Sequence, residues 1–230
     1  MKTIGLIGGM SWESTVEYYR IINKEVSRRL GGFHSAKILM YSVDFGEIEG
    51  LMREGKWEEI GDHIAKIAKT IENAGADVIL LCTNTVHKVA SWIESATRVP
   101  FIHIADATGG EISRKGLKKV GLLGTRYTME GDFYKHRLTE KYGLSVLIPP
   151  DGKRGIVNDV IFNELCLGVI KQSSRDQFME VIKELVARGA EGIILGCTEI
   201  PMLVKQSDCP VPLLDTTSIH ALRAVDYALG

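Results

Sequence analysis

Cysteine is scarce: Cys82, Cys166, Cys197 and Cys209 are the only four in 230 residues, too few and too scattered for a disulfide framework. No C-x-x-C pair and no Cys/His spacing of a metal site occurs, and the six histidines are dispersed. Reduced thiols and no metal are therefore expected. No apolar run approaches the roughly 20 residues that a membrane-spanning helix needs. The start MKTIGLIGG runs straight into a strand and a glycine turn, unlike a cleavable leader. Basic runs are missing too: 28 Lys and Arg stand against 29 Asp and Glu, a formal charge of -1, so nothing would neutralise a phosphate backbone. Membrane and nucleic acid are excluded as partners, and a cytoplasmic location is expected. The Gly8-Gly9 turn lacks the G-x-G-x-x-G spacing of a dinucleotide loop, which argues against a nucleotide cofactor.

What is present is an ordinary globular composition, 45% hydrophobic and 25% charged, in a chain long enough for one large core or two small domains. KTIGLIGGMS reads as a buried parallel strand ending in a glycine turn. A helix should follow, with Ser14 and Glu17 as a capping box, Val16, Tyr19, Ile22 and Val26 at helical spacing, and Gly31-Gly32 as the stop. Alternation continues through strand 37–43, a helix carrying Ile60, Ile64, Ile67 and Ile71, strand 77–82, a short helix near 86–96, and a strand opened by Pro100. The expected class is α/β with parallel sheets.

The chain also repeats itself. GLIGGMS near residue 5 has a partner in GLLGTRYTM near 121, GADVILLCTN at 75–84 in GAEGIILGCT at 189–198, and VPFIH at 99 in VPLLD at 211. Three matches in one order point to a duplication: two similar doubly wound domains, 1–105 and 106–216, with the active site in the cleft between them and the last helix, 217–230, packing back on the first. In such sheets ligands bind beyond the carboxyl ends of the strands. Four loops qualify: Gly8 to Ser11, Thr83 to Thr85, Gly124 to Thr128, and Cys197 to Glu199. The offset of the repeat, 197 minus 83 or 114, sets Thr83 opposite Cys197 and Cys82 opposite Gly196. Successive strand residues face opposite ways, so Thr83 rather than Cys82 is placed in the site. Cys82 and Cys166 read as core cysteines, and Cys209 as the start of a strand.

The IGGM opening (Ile7 to Met10), Asn84-Thr85-Val86-His87, and Gly196-Cys197-Thr198-Glu199 after a GAEGIIL strand together resemble the aspartate/glutamate racemase family, over essentially the whole chain. The resemblance implies a cofactor-independent amino-acid racemase, homodimeric, whose two domains each present one proton-transfer residue to aspartate, glutamate or a related amino acid. The family carries a first cysteine directly before Asn-Thr-x-His; here that position is Thr83. Racemisation takes a proton from one face of the α-carbon and returns one to the other, so it needs two such groups. Cys197 is read as the base, a thiol brought to thiolate by helix N-terminal dipoles and nearby donors, and Thr83 as the donor on the opposite face, directly or through water. The second-domain cysteine serves the L-enantiomer in glutamate racemases, which implies a preference for L-substrates.

By matching positions, Asn84, Thr85 and Thr198 would hold the α-carboxylate and α-amino group, with Met10, Ser11, Thr125 and Thr128 completing the pocket. Glu199 would hold the ammonium or join the proton relay, and His87 would orient its loop. Arg53 is the candidate for a distal carboxylate, with Lys153, Arg154 and Arg126 as alternatives. Two other functions fit the same pattern: a single-cysteine decarboxylase of malonate-type acids, and a non-catalytic amino-acid-binding protein.

Overall fold

The computed structural model describes residues 1–230. The chain forms two compact units, Met1–Ile104 with His220–Gly230, and Ala105–Ile219. It passes from the first to the second between Ile104 and Ala105, and returns between Ile219 and His220.

The first unit runs β1 (Ile4–Gly8), α1 (Trp12–Leu30), β2 (Ile38–Ser42), α2 (Phe45–Arg53), α3 (Trp57–Asn73), β3 (Val78–Leu81), a 3-10 turn Thr85–Val89, α4 (Ala90–Ala96) and β4 (Phe101–Ile102). The second opens within α5 (Ile104–Arg114). It continues through β5 (Lys119–Gly124), α6 (Arg126–Glu130), α7 (Asp132–Tyr142), β6 (Ser145–Leu147), α8 (Asp151–Asn163), α9 (Gln172–Ala187), β7 (Gly192–Gly196), α10 (Ile200–Leu203), β8 (Leu213–Asp215) and the start of α11 (Thr216–Leu229). Each unit holds one four-stranded sheet, in the orders β2-β1-β3-β4 and β6-β5-β7-β8, and every pairing is parallel. The expected α/β class and the two doubly wound sheets are thus observed. No helix is long and apolar enough to cross a membrane.

Every residue of β1, β3 and β7 is buried. Because side chains alternate between the two faces of a strand, this means both faces of each sheet are covered, which is why these segments read as continuous apolar runs instead of alternating ones. In the first unit Ile4, Leu6, Val78, Leu80 and Cys82 pack with Tyr18, Ile22 and Val26 of α1 and with Ala221, Ala224 and Val225 of α11.

The start of α1 corrects the sequence reading. The N-cap is Ser11, not Ser14, and Ser11 makes no side-chain cap. Ser14 lies inside the first turn, its hydroxyl donating to the Ser11 carbonyl at 3.1 Å, and Glu17 pairs with Arg20 on the surface. The buried face is Ser14, Thr15, Tyr18, Ile22 and Val26, whereas Val16 and Tyr19 are exposed. The reason is a close approach. The Thr15 hydroxyl accepts from Gly9 N–H at 2.8 Å and donates to the Ser11 carbonyl at 2.8 Å, so the helix begins hard against the strand end. Only glycine permits this: a Cβ at Gly8 would lie 2.3 Å from Thr15 Cγ2 and 2.8 Å from Thr15 Oγ1. Gly8→Ala is therefore expected to destabilise the protein by about 1–3 kcal/mol through overpacking. Thermal unfolding followed by circular dichroism should show Tm falling by roughly 2–4 °C per kcal/mol.

Candidate active site

All four loops expected to carry the site lie at carboxyl ends of strands. In the first unit, Gly9 has φ +92°, and a Cβ there would meet the Val43 carbonyl at 2.3 Å, so the turn after β1 needs glycine. Met10 and Ser11 follow it, both buried. On the neighbouring strand, Cys82 N–H donates to the Ile7 carbonyl at 2.8 Å and extends the β1–β3 register by one residue. The chain then turns sharply, Thr83 N–H reaching back to the Leu81 carbonyl at 2.9 Å. Cys82 belongs to the core cluster and burial pushes its thiol far up. Thr83, Asn84 and Thr85 are buried but lie outside that cluster.

The second unit repeats the pattern. Gly124 pairs with Gly196, the last residues of β5 and β7. Thr125 caps α6, its hydroxyl accepting from Thr128 N–H at 3.3 Å, and Thr128 packs beneath the two glycines. Cys197 directly follows β7. It stands where Thr83 stands in the first unit, one residue past the position beside the last glycine of the adjoining strand.

Cys197 is buried, and its S–H donates to Glu199 Oε2 at 2.9 Å. The Thr198 hydroxyl donates to the same oxygen at 2.8 Å. Burial raises the Cys197 pKa well above the ordinary thiol value; the charge of Glu199 raises it further, and Cys166 adds to the effect. This corrects the expectation of a preformed thiolate. Removal from water and an adjacent carboxylate both favour the neutral S–H, so the resting group is a thiol already bonded to a base. Alkylation of Cys197 by iodoacetamide is accordingly expected to be slow at neutral pH and to rise only above the range of an ordinary thiol, when followed by peptide mass spectrometry across pH. Glu199→Gln should move that profile to lower pH without bringing it to the ordinary value, because burial, the larger cause, remains.

Within each unit, strand adjacency groups the expected residues: Met10 and Ser11 beside Thr83, Asn84 and Thr85, and Thr125 and Thr128 beside Cys197, Thr198 and Glu199. Arg53 ends α2 with its side chain 76% exposed and paired to Glu49 on its own helix at 2.6 Å. Arg126 and Arg154 share Glu130 and Asp151, and Lys153 pairs with Glu184. Each proposed partner for a distal carboxylate is thus engaged with an acid of its own.

One expectation is corrected here and two further groups emerge. Cys166 is half-buried in the 3-10 turn Leu165–Leu167, not in the core, and lies close enough to influence Cys197. Glu13, in the first turn of α1, has a buried Oε2 with no hydrogen-bond partner, and so has the hydroxyl of Thr217. Thr217 sits two residues beyond Asp215, the partner of Leu195 in the β7–β8 register, as Cys197 sits two beyond Leu195. Applying the carboxyl-end rule to β8, which ends without a glycine loop, would have found it. Cys166 carries no local signal.

Two parallel sheets of one topology each carry polar loops at their carboxyl ends, and the second also carries a thiol bonded to a carboxylate. A family model described as Asp/Glu/Hydantoin racemase matches residues 7–224. The broad specificity amino-acid racemase RacX of Bacillus subtilis is 28% identical over 177 residues, 75% of this chain and 74% of that protein. Two solved structures each cover 100% of both chains: a candidate Asp/Glu racemase from Yersinia pestis, 56% identical with a TM-score of 0.94, and an aspartate racemase homologue from Pyrococcus horikoshii, 36% identical with a TM-score of 0.85. The chain belongs to the Asp/Glu/hydantoin racemase family, and with it to the isomerases.

Proposed function

We propose that the protein racemises aspartate, glutamate or a related amino acid without a cofactor, with Cys197 as the base and Thr83 as the acid, and that it prefers the L-enantiomer. The observation that carries this reading is the Cys197–Glu199 bond. A thiol held at 2.9 Å from a buried carboxylate has an acceptor for its proton, so the thiolate forms by transfer to Glu199 when substrate binds. The thiolate then takes the α-proton of the L-amino acid, leaving a planar carbanion. The Thr83 hydroxyl delivers a proton to the opposite face and is reloaded from water. Glu199 then gives its proton to water, so the sum is inversion at one carbon with one proton lost to solvent and one gained.

Both proton-transfer groups belong to the chain, which is the support for cofactor independence. The substrate class rests on the relatives, named for aspartate, for aspartate or glutamate, and for broad specificity. The Thr198 hydroxyl, with Asn84 and Thr85, supplies polar groups for the α-carboxylate and ammonium. Glu13, with its partnerless buried carboxylate oxygen, is a further candidate for the ammonium. The test is proton NMR in D2O, following the α-proton of L- and D-aspartate and L- and D-glutamate. Solvent deuterium should enter the L-forms and the D-product should appear. D-substrates exchanging as fast as L would refute the enantiomer preference, and no exchange with these or a wider amino-acid panel would refute the racemase.

A further inference from the structure

The proton donor of this reaction is a threonine on a loop, and an acid that must meet a transient carbanion has to be held in place. His87 is hydrogen-bonded through both ring nitrogens, and that fixes its chemistry. The backbone N–H of Ile104 approaches Nε2 at 3.1 Å and can only donate, so Nε2 carries the lone pair. The ring proton is therefore on Nδ1, which donates to the Thr83 carbonyl at 2.6 Å. The imidazole is a neutral bridge between the last residue of the first unit before the crossover and the residue read as the acid.

The ring itself is boxed in. Phe101 lies 5.6 Å away, His103 edge-on at 4.5 Å and His220 at 5.9 Å, centroid to centroid. His220 is pinned in turn: the Tyr18 hydroxyl lies 2.9 Å from Nδ1, and Nε2 lies 2.7 Å from the Ile102 carbonyl, an acceptor only. Nε2 must then hold the proton and Nδ1 the lone pair that accepts from Tyr18. Burial drives the His220 pKa down to about 4, so it is neutral at physiological pH. A residue needed only to fill space here would not need both nitrogens.

We propose that His87 is the positioning residue for Thr83, and that its Nδ1–H tautomer sets the efficiency of the reprotonation step. Resting on the racemase reading above, the argument runs through peptide geometry. The 83–84 peptide is planar and trans, so fixing its carbonyl toward His87 fixes the orientation of the plane and points the Asn84 N–H the opposite way. The same plane anchors the Thr83 Cα, from which the hydroxyl projects. Releasing the carbonyl lets the acid rotate away from the carbanion. Proton removal by Cys197, in the other unit, does not depend on that bond.

The two half-reactions can be read separately. In D2O, L-substrate returned with α-deuterium but unchanged configuration reports proton removal alone, whereas inverted product also requires the acid. His87→Asn keeps an amide N–H near the Nδ1 position, and His87→Gln places its amide near Nε2. The expected result is that His87→Asn retains the wild-type ratio of inversion to retention, while His87→Gln and His87→Phe lower it by about 10- to 100-fold, since misplacement by about 1 Å costs on that order. Total exchange should stay within a few-fold of wild type in all three. Asn and Gln variants behaving alike, or inversion and exchange falling together at constant ratio, would show a purely structural role and overturn the proposal. Should His87→Phe fail to fold, the Asn/Gln pair decides alone. Absence of any exchange by the wild type would instead bring down the racemase reading, and this proposal with it.

Discussion

Cys197→Ala is expected to abolish solvent exchange at the α-carbon of L-aspartate and L-glutamate, with a loss on the order of 10³-fold or more, because it removes the one base on that face. Alanine at this position leaves Glu199 with its bond from the Thr198 hydroxyl at 2.8 Å, so the fold around the site should persist and unfolding should shift little. Cys197→Ser is the sharper control. It keeps a donor to Glu199 but substitutes a hydroxyl, whose proton is far harder to remove than that of a thiol, so exchange should remain near the alanine level. Substantial exchange in either variant would show that another group takes the α-proton. Glu199→Gln separates the two parts of the dyad: the thiol becomes more acidic without its anionic neighbour, yet the acceptor for its proton is gone. Faster alkylation of Cys197 together with slower exchange is the combination that marks Glu199 as the proton acceptor.

Much of this site was legible because parallel sheets place function at strand ends that glycine marks. Gly8, Gly9, Gly124 and Gly196 are glycines for steric reasons found in the structure: a Cβ would collide with Thr15, Val43, Gly196 or Leu123. The repeat offset placed Thr83 opposite Cys197, and the sheet registers give the same correspondence from hydrogen bonds alone. What was not legible depends on neighbours distant in sequence. Helix α1 carries two apolar stripes: Tyr18, Ile22 and Val26 are buried, and Trp12, Val16 and Tyr19 are exposed. Periodicity cannot say which of them meets the core. Nor does a local pattern reveal that Cys166 approaches Cys197, or that the carboxylate two residues on would hold the thiol protonated. Helix dipoles are local and so are visible in a sequence; burial and the Glu199 charge are not, and both push the Cys197 thiol the other way.

That reversal bears on the enantiomer preference. At rest Cys197 is an acid, not a base, so the group needed to protonate the carbanion made from a D-amino acid is already in place. What the D-direction lacks is a base at Thr83, whose hydroxyl does not ionise near neutral pH. Thr83→Cys supplies one with a reference pKa of about 8.5. Its surroundings differ from those of Cys197 in one respect that matters: by the offset of 114, the counterpart of Glu199 is Thr85, since 199 minus 114 is 85. A thiol at position 83 therefore has no carboxylate at the matching place, and the charge effect that raises Cys197 is missing there. The expected outcome is that Thr83→Cys increases α-proton exchange of D-aspartate and D-glutamate by about 10²-fold or more while L-exchange changes little, and that Glu199→Gln slows L-exchange more than D-exchange in the Thr83→Cys background. D-exchange unchanged by the new thiol, with L-exchange intact, would mean that the base for the D-face lies elsewhere and that Thr83 is not the acid of the L-reaction.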